Sequence, residues 1–403
     1  MSTALSSQPV NLKRVHGVAF SSQEIYWRDQ QKWLLECGYR LRPRYQPDWT
    51  PSWEKFGKPS ILCEDSCFLI HGQIIDAVRI KDGASVALKK ISKSIHPHEA
   101  DIAKFFSTEP LASDPRNICV PILDTLQPPN DEDILLLVMP LLRVYDSPRF
   151  DTFGEAVHFF TQAFTGLQFM HQHHVAHRDC NSNNIMMEAS GMFPRGFHPL
   201  MQHRDPSFTH MAKHLTRTQH PPKYYFVDFG ISRRYDPANG PPLEFPIEGG
   251  DKTVPEFKAS HGPCDPFPTD VYYLGNLIRQ EFLEVICMLY DHILIFTQTY
   301  HQRDPLLEGV EGRYGFEFMK SLVDDMVHDD PKKRPTMDEV VARFETIKAG
   351  LSSWKLRSRV VPRKDNFVHG IIHGTKHWIR KIGFIVRRVP PIPGEPRKST
   401  SRR

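Results

Sequence analysis

The sequence of 403 residues lacks any uninterrupted apolar run long enough to cross a bilayer. The nearest candidate, 282–296, is broken by Glu284, Asp291 and His292. No basic-then-apolar leader opens the chain, so secretion is not expected. The seven cysteines are odd in number and show no framework spacing, which points to reduced thiols in a cytosolic or nuclear compartment. Acidic residues are scarce in one region only. Residues 354–403 carry fourteen Lys or Arg against Asp365 and Glu395, a net of +12, which leaves −8 on the rest of a +4 chain. Acidic lipid or nucleic acid is therefore a partner expected of the tail and not of the body.

What is present suits a globular protein: 40% hydrophobic and 24% charged residues, enough for a sizeable core. Residues 1–20 read as loosely attached. Ser21, three before Glu24, makes a capping-box pattern, and Gly38 is a stop, so a helix is expected over about 22–37. Segment 39–53 reads as an extended strap that Trp27, Trp33, Trp49 and Trp53 help to pack onto the main domain. Segments 74–80 and 85–91 are β-branched runs joined through Asp82-Gly83, a hairpin signal. Segment 98–106 has helical spacing, 134–138 reads as a buried strand, and Val157, Phe160, Phe164 and Leu167 place a long helix before His177. Strands precede helices, the order of an α+β protein with a β-rich small lobe and a helical large one. Residues 188–222, with five histidines and five prolines, read as a mobile surface insertion dispensable for folding. Segment 234–255 is loop-like, with Gly240, Gly249 and Gly250.

Four stretches carry chemistry. In Val86-Ala87-Leu88-Lys89, alternate residues share a face. Ala87 leaves space for a flat base, and the Lys89 amine can reach phosphate. Alone, a strand lysine is more often simply solvated, and Lys90 is the register alternative. Glu99, backed by Ile102 and Phe106 one and two turns on, can hold Lys89 by an ion pair, with Asp101 as a competitor. His177-Arg178-Asp179 with Asn184 offers a carboxylate for a hydroxyl and an amide for Mg2+. Asp228-Phe229-Gly230, after the strand run 224–227, offers a carboxylate that can chelate a metal bridging two phosphates. A given tripeptide occurs by chance in roughly one chain in twenty of this length, so it is the ordered set that carries weight.

These residues resemble the protein-kinase signature set. Val254-Pro255-Glu256 resembles the end of an activation segment, Asp270 to Gly275 the helix that anchors a catalytic loop, and Asp330 to Pro335 the turn whose Arg334 pairs with Glu256. The resemblance covers about 60–350 and implies a two-lobed fold: an N-lobe over 60–140 and a C-lobe over 141–350. An extension over 1–59 and a basic tail over 351–403 would flank it. By resemblance, Asp179 is the catalytic base, Lys89 contacts the ATP phosphates, Glu99 holds Lys89, and Asn184 and Asp228 bind Mg2+. Met139 is the gatekeeper, and Pro140, Leu141 and Leu142 form the hinge carrying adenine. The substrate would be a protein hydroxyl, Ser/Thr rather than Tyr on class frequency. More loosely, the strap, residues 107–117 and the insertion look like kinase-like proteins of mushroom-forming fungi.

The chain also departs from that pattern. Of the three phosphate-loop glycines, the third falls on Gly72, while Cys67 and Leu69 stand near the first two. Asn181 stands where Ser/Thr kinases usually place a lysine. Two rival readings follow: a pseudokinase that binds or scaffolds, and a small-molecule phosphotransferase, which Glu256, Asp270 and Arg334 oppose. The histidines at 171, 173, 174 and 177, and Cys63, Cys67 and His71, mimic zinc ligands but suit a helix end, the catalytic motif and chance spacing better. The segment 378–389 mixes apolar and basic residues and reads as a solvated basic tail before a membrane-surface helix.

Overall fold

The structure, a computed structural model, describes residues 20–69, 71–258, 262–284, 312–363 and 367–394. The expected loose segment 1–19, much of the apolar run at 282–296 and the terminal arginines lie outside the described residues. The architecture is mixed α+β with antiparallel sheets. Its contacts divide into two units: residues to Lys90 with Arg195–Ala212, and Ile91–Pro194 with Lys213–Arg403.

In the first unit the capping box forms as read: the Glu24 N–H donates to Ser21 Oγ at 3.2 Å, and the Ser21 N–H to the Glu24 carboxylate at 3.1 Å. The helix expected over 22–37 is split at Gln30 into α1 (Ser22–Asp29) and α2 (Gln31–Glu36). The strap is only partly extended, because β1 (Tyr39–Arg40) joins a sheet and α3 (Ser52–Phe56) is helical. β2 (Ile74–Arg79) and β3 (Ser85–Ser92) form the expected hairpin, with β1 on the outer side of β2. Gly83 takes φ +73°, a conformation that an L-side chain resists.

Buried ion pairs tie Glu24, Arg42 and Arg44 into this unit. Glu24 accepts from Arg44 Nε at 3.1 Å and from the Tyr45 hydroxyl at 3.2 Å. Arg42 bonds Asp76 and Glu64. Asp65 accepts from the Trp49 indole and from the backbone and hydroxyl of Ser52. Such pairs help to specify one arrangement, because breaking one strands a charge away from water.

The second unit begins after Lys90. α4 (Glu99–Phe106) follows, then the antiparallel pair β4 (Asp124–Leu126) and β5 (Ile134–Pro140). β6 (Arg143–Val144) precedes the long α5 (Phe153–Gln172) that the Val157 to Leu167 spacing predicted. β7 (Val175–Ala176) leads into the His177 loop, and β8 (Ile185–Glu188) leaves it. β9 (Lys223–Phe226) completes a sheet ordered β6-β8-β9, and β10 (Arg233–Arg234) pairs with β7. α6 (Pro266–Ile278), α7 (Lys320–Met326), α8 (Met337–Gly350), α9 (Ser353–Leu356) and α10 (Phe367–Val386) complete it. The aromatic core sits on α5: Phe159, Phe160 and Phe164 are buried among Phe282, Phe316 and Phe344. Each ring removes a large apolar area from water, on the order of 1.5–3 kcal/mol apiece.

Residues 188–222 are not wholly a surface segment. Arg217 is buried and donates to the carbonyls of Tyr145 (2.7 Å) and Pro148 (2.5 Å) and to the Tyr224 hydroxyl (3.1 Å). Thr218 donates twice to buried Glu155, and within the first unit His198 bonds Glu64 at 3.0 Å. A run without periodicity still packs when single polar side chains reach partners distant in sequence. Nor is the tail simply solvated, because Asp151 bonds Arg380 on α10 at 2.9 Å and Phe384 is buried.

Candidate functional site

One buried carboxylate builds the loop that carries the candidate base. Asp270, fully buried on α6, accepts the consecutive backbone N–H groups of His177 (2.7 Å) and Arg178 (2.6 Å) and the His171 ring at 3.0 Å. Arg178 is thereby held at φ +68°, and its guanidinium meets Glu244 at 2.8 Å. The strain of that backbone is over-determined by these bonds, which fix where Asp179 projects.

The Asp179 carboxylate is the focus. It accepts from Asn184 Nδ2 at 2.8 Å, Asn181 Nδ2 at 2.5 Å and the backbone N–H of Gly250 at 2.7 Å. Burial pushes its pKa up to about 6; the Gly250 N–H opposes the shift, nearby Asp228 adds to it, and both asparagines oppose it. A carboxyl poised there ionises close to neutral pH, as a general base should. Asn184 also donates to the Asp179 carbonyl at 2.9 Å. Those bonds use the amide nitrogen and leave the oxygen for another partner.

Asp228 lies at the end of β9 with φ +66° and is exposed; the Gly230 N–H donates to it at 3.1 Å. Glu99 is buried at the start of α4, whereas Asp101 is exposed. A Cβ on Gly230 would stand 3.4 Å from the Glu99 carboxylate and 3.2 Å from His96, whose ring bonds the Gly230 carbonyl. The second unit thus brings Glu99 and the Asp228 loop close together, as it does Asp179, Asn181 and Asn184. Met139 is buried near the end of β5 and Leu141 is half-buried beyond it.

Lys89, Ala87 and Gly72 belong to the first unit. Ala87 and Lys89 are half-buried on one face of β3, while Val86 and Leu88 are buried on the other. Lys90 instead stands 4.1 Å from the centre of the Tyr26 ring. Gly72 is the expected third glycine of the phosphate loop. It is buried under α1, its carbonyl accepts the Trp27 indole N–H at 2.9 Å, and a Cβ there would lie 1.9 Å from the Gln23 side chain. A side chain at 72 would force Gln23 to move. The preceding segment is also tied down, since Arg42 donates to the Cys67 carbonyl at 3.2 Å and Leu69 is buried. Burial pushes the Cys67 thiol up to about 12.

Late in the second unit, Arg334 and Glu256 form the expected pair. Two bonds of 2.7 and 2.6 Å join them, both side chains are fully enclosed, and Thr269 adds a third bond to the carboxylate at 2.8 Å. Burial opposes the charge on Glu256, but Arg334 outweighs it and holds the pKa below the ordinary range.

Reading the sequence missed three participants. Gly249 and Gly250 read only as loop, yet a Cβ on Gly249 would fall 2.3 Å from Asp179 Oδ1 and 2.6 Å from the Tyr273 hydroxyl. Glu244, the partner of Arg178, gave no local signal at all. Compared with known proteins, the chain matches no family model, and it matches no curated protein.

Proposed function

We propose that the chain is a protein kinase with the two-lobed fold of that family, transferring the γ-phosphate of ATP to a protein hydroxyl, Ser/Thr rather than Tyr. The observation that carries this reading is the state of Asp179. It is a loop carboxylate with a pKa raised to about 6, fixed by Asn184 at 2.8 Å, on a backbone that Asp270 holds. That arrangement suits orienting a hydroxyl and accepting its proton as transfer proceeds. The Glu256–Arg334 pair supports a protein substrate, since it braces the segment that would present one.

The donor set fits Mg2+. The ion commonly takes one or two protein oxygens beside phosphate oxygens and water, and the exposed Asp228 carboxylate with the Asn184 amide oxygen supplies that number. Bound there, Mg2+ would neutralise charge on the nucleotide phosphates. Lys89, Glu99, Ala87, Met139 and Leu141 keep the roles that the resemblance gives them. The tail's +12 charge supports a polyanionic partner in addition to the protein substrate.

A second reading, a pseudokinase, is favoured by one observation: Gly72 is buried beneath Gln23 and not open to a phosphate. The test is phosphate incorporation from labelled ATP into a generic protein substrate with Mg2+, wild type against Asp179→Asn. A drop of about 10²–10⁴-fold in the variant supports transfer. Nucleotide binding with no incorporation above the variant's background leaves only the scaffold reading.

A further inference from the structure

From His377 onward, helix α10 is built inside out. His377, Lys381 and Phe384, spaced by four and three residues, are buried, whereas Trp378, Ile379, Ile382, Ile385 and Val386 are between 45% and 75% exposed. A surface helix ordinarily turns its apolar stripe inward. Here charge does the docking: Arg380 bonds Asp151 at 2.9 Å, His377 stands 3.5 Å from the same carboxylate, and the Lys381 amine lies 3.6 Å from the centre of the Trp354 ring. The exposed face is enlarged by Trp354, itself 60% exposed, with its ring 5.9 Å from that of Trp378. Exposed Arg387 and Arg388 close its C-terminal end, and no acidic residue falls between Asp365 and Glu395.

We propose that this face lies on an anionic lipid bilayer, with Ile379, Ile382, Ile385 and Val386 entering the headgroup–acyl boundary. Trp378 and Trp354 sit at the interface, and Arg387 and Arg388 meet the headgroup phosphates. Charge complementarity selects this occupant. A second copy of the chain would bring one arginine cluster against another across a symmetric contact. Nucleic acid would satisfy the arginines but leave four aliphatic side chains in water. An anionic bilayer accepts both halves of the pattern. The inference is independent of the phosphotransfer reading.

The experiment is co-sedimentation of the full chain with vesicles of phosphatidylcholine alone or mixed with phosphatidylserine. The wild type is expected to pellet with the phosphatidylserine vesicles and to be released by salt. The Ile379→Glu/Ile382→Glu variant should partition at least roughly tenfold more weakly. Arg387→Glu/Arg388→Glu should lose the preference for phosphatidylserine by about the same factor. Both variants should keep the wild-type circular dichroism and Tm. Failure of the wild type to bind, or undiminished binding by the isoleucine variant, overturns the proposal. So does a wild-type dimer that the isoleucine variant makes monomeric, or DNA binding tighter than vesicle binding. A large fall in Tm for the isoleucine variant would mean that the chain itself covers the face, and would overturn it equally.

Discussion

The backbone N–H of Gly250 donates to Oδ1 of Asp179 at 2.7 Å, across 71 positions of sequence. The carboxylate proposed as base is therefore already bonded by the segment that precedes Glu256. A substrate hydroxyl must share it with that amide or displace it.

The raised pKa of Asp179 sets a pH dependence with a definite sign. The base is active when ionised, so the rate of transfer should climb from pH 5 to 7 with an inflection near the value of about 6. Stability runs the other way. The folded pKa lies above the ordinary 3.8, so the native state binds the proton more tightly than the unfolded chain. The contribution of this group is fully present below pH 4 and is lost as pH rises through 6. Asp179→Asn should accordingly melt higher than wild type at pH 8, by roughly 1 kcal/mol after allowance for solvent screening, and not at pH 4. Paired pH–rate and pH–Tm series decide this; a flat rate across pH 5 to 7 is the contrary result.

Gly249→Ala should strike activity before stability. Its Cβ would fall 2.3 Å from Asp179 Oδ1, so the carboxylate must move. Incorporation is expected to drop tenfold or more, because small misplacements of a reacting group are costly, about 10²-fold for 1 Å. Gly350→Ala, where a Cβ meets nothing within 4 Å, is the control and should behave as wild type. Equal activity of the two variants would show that Asp179 is not constrained in this way.

Arg334→Ala should destabilise the fold by about 3–5 kcal/mol, because it leaves the Glu256 carboxylate enclosed without its cation. Removing both charges, Glu256→Gln with Arg334→Met, should cost less than Arg334→Ala alone. Since the folded pKa of Glu256 is depressed, the pair's contribution is present above the ordinary value of 4.5 and is lost as pH falls through the folded value. Urea melts at pH 7 give both differences, and additive costs would argue against the coupling.

Arg217→Ala should cost about 2–4 kcal/mol, because the buried Tyr145 carbonyl, the part-buried Pro148 carbonyl and the Tyr224 hydroxyl lose their donor. Arg217→Lys should rescue little, since one ammonium cannot span the three acceptors that the planar guanidinium meets. A thermal midpoint unchanged in both variants would restore the view of this segment as dispensable.

Much of the scaffold was legible because its signals are local. Asp82-Gly83 announces the hairpin, Ser21 and Glu24 announce the start of α1, and the Val157 to Leu167 spacing announces α5. The 177–184 loop was legible as a chemical pattern. What escaped depends on partners remote in sequence. Nothing near Gly72 in sequence announces Gln23 above it, and nothing near Arg217 announces the Tyr145 and Pro148 carbonyls that it meets. The reversed faces of α10 follow from Asp151, more than two hundred residues upstream, and no periodicity within the helix could reveal that.

The first unit draws on two separate pieces of chain, the second being Arg195–Ala212. During synthesis, Glu64 must wait for His198 to leave the ribosome before it gains that partner. A nascent chain halted before residue 195 would expose an incomplete N-terminal body for the whole pause, open to chaperones and proteases.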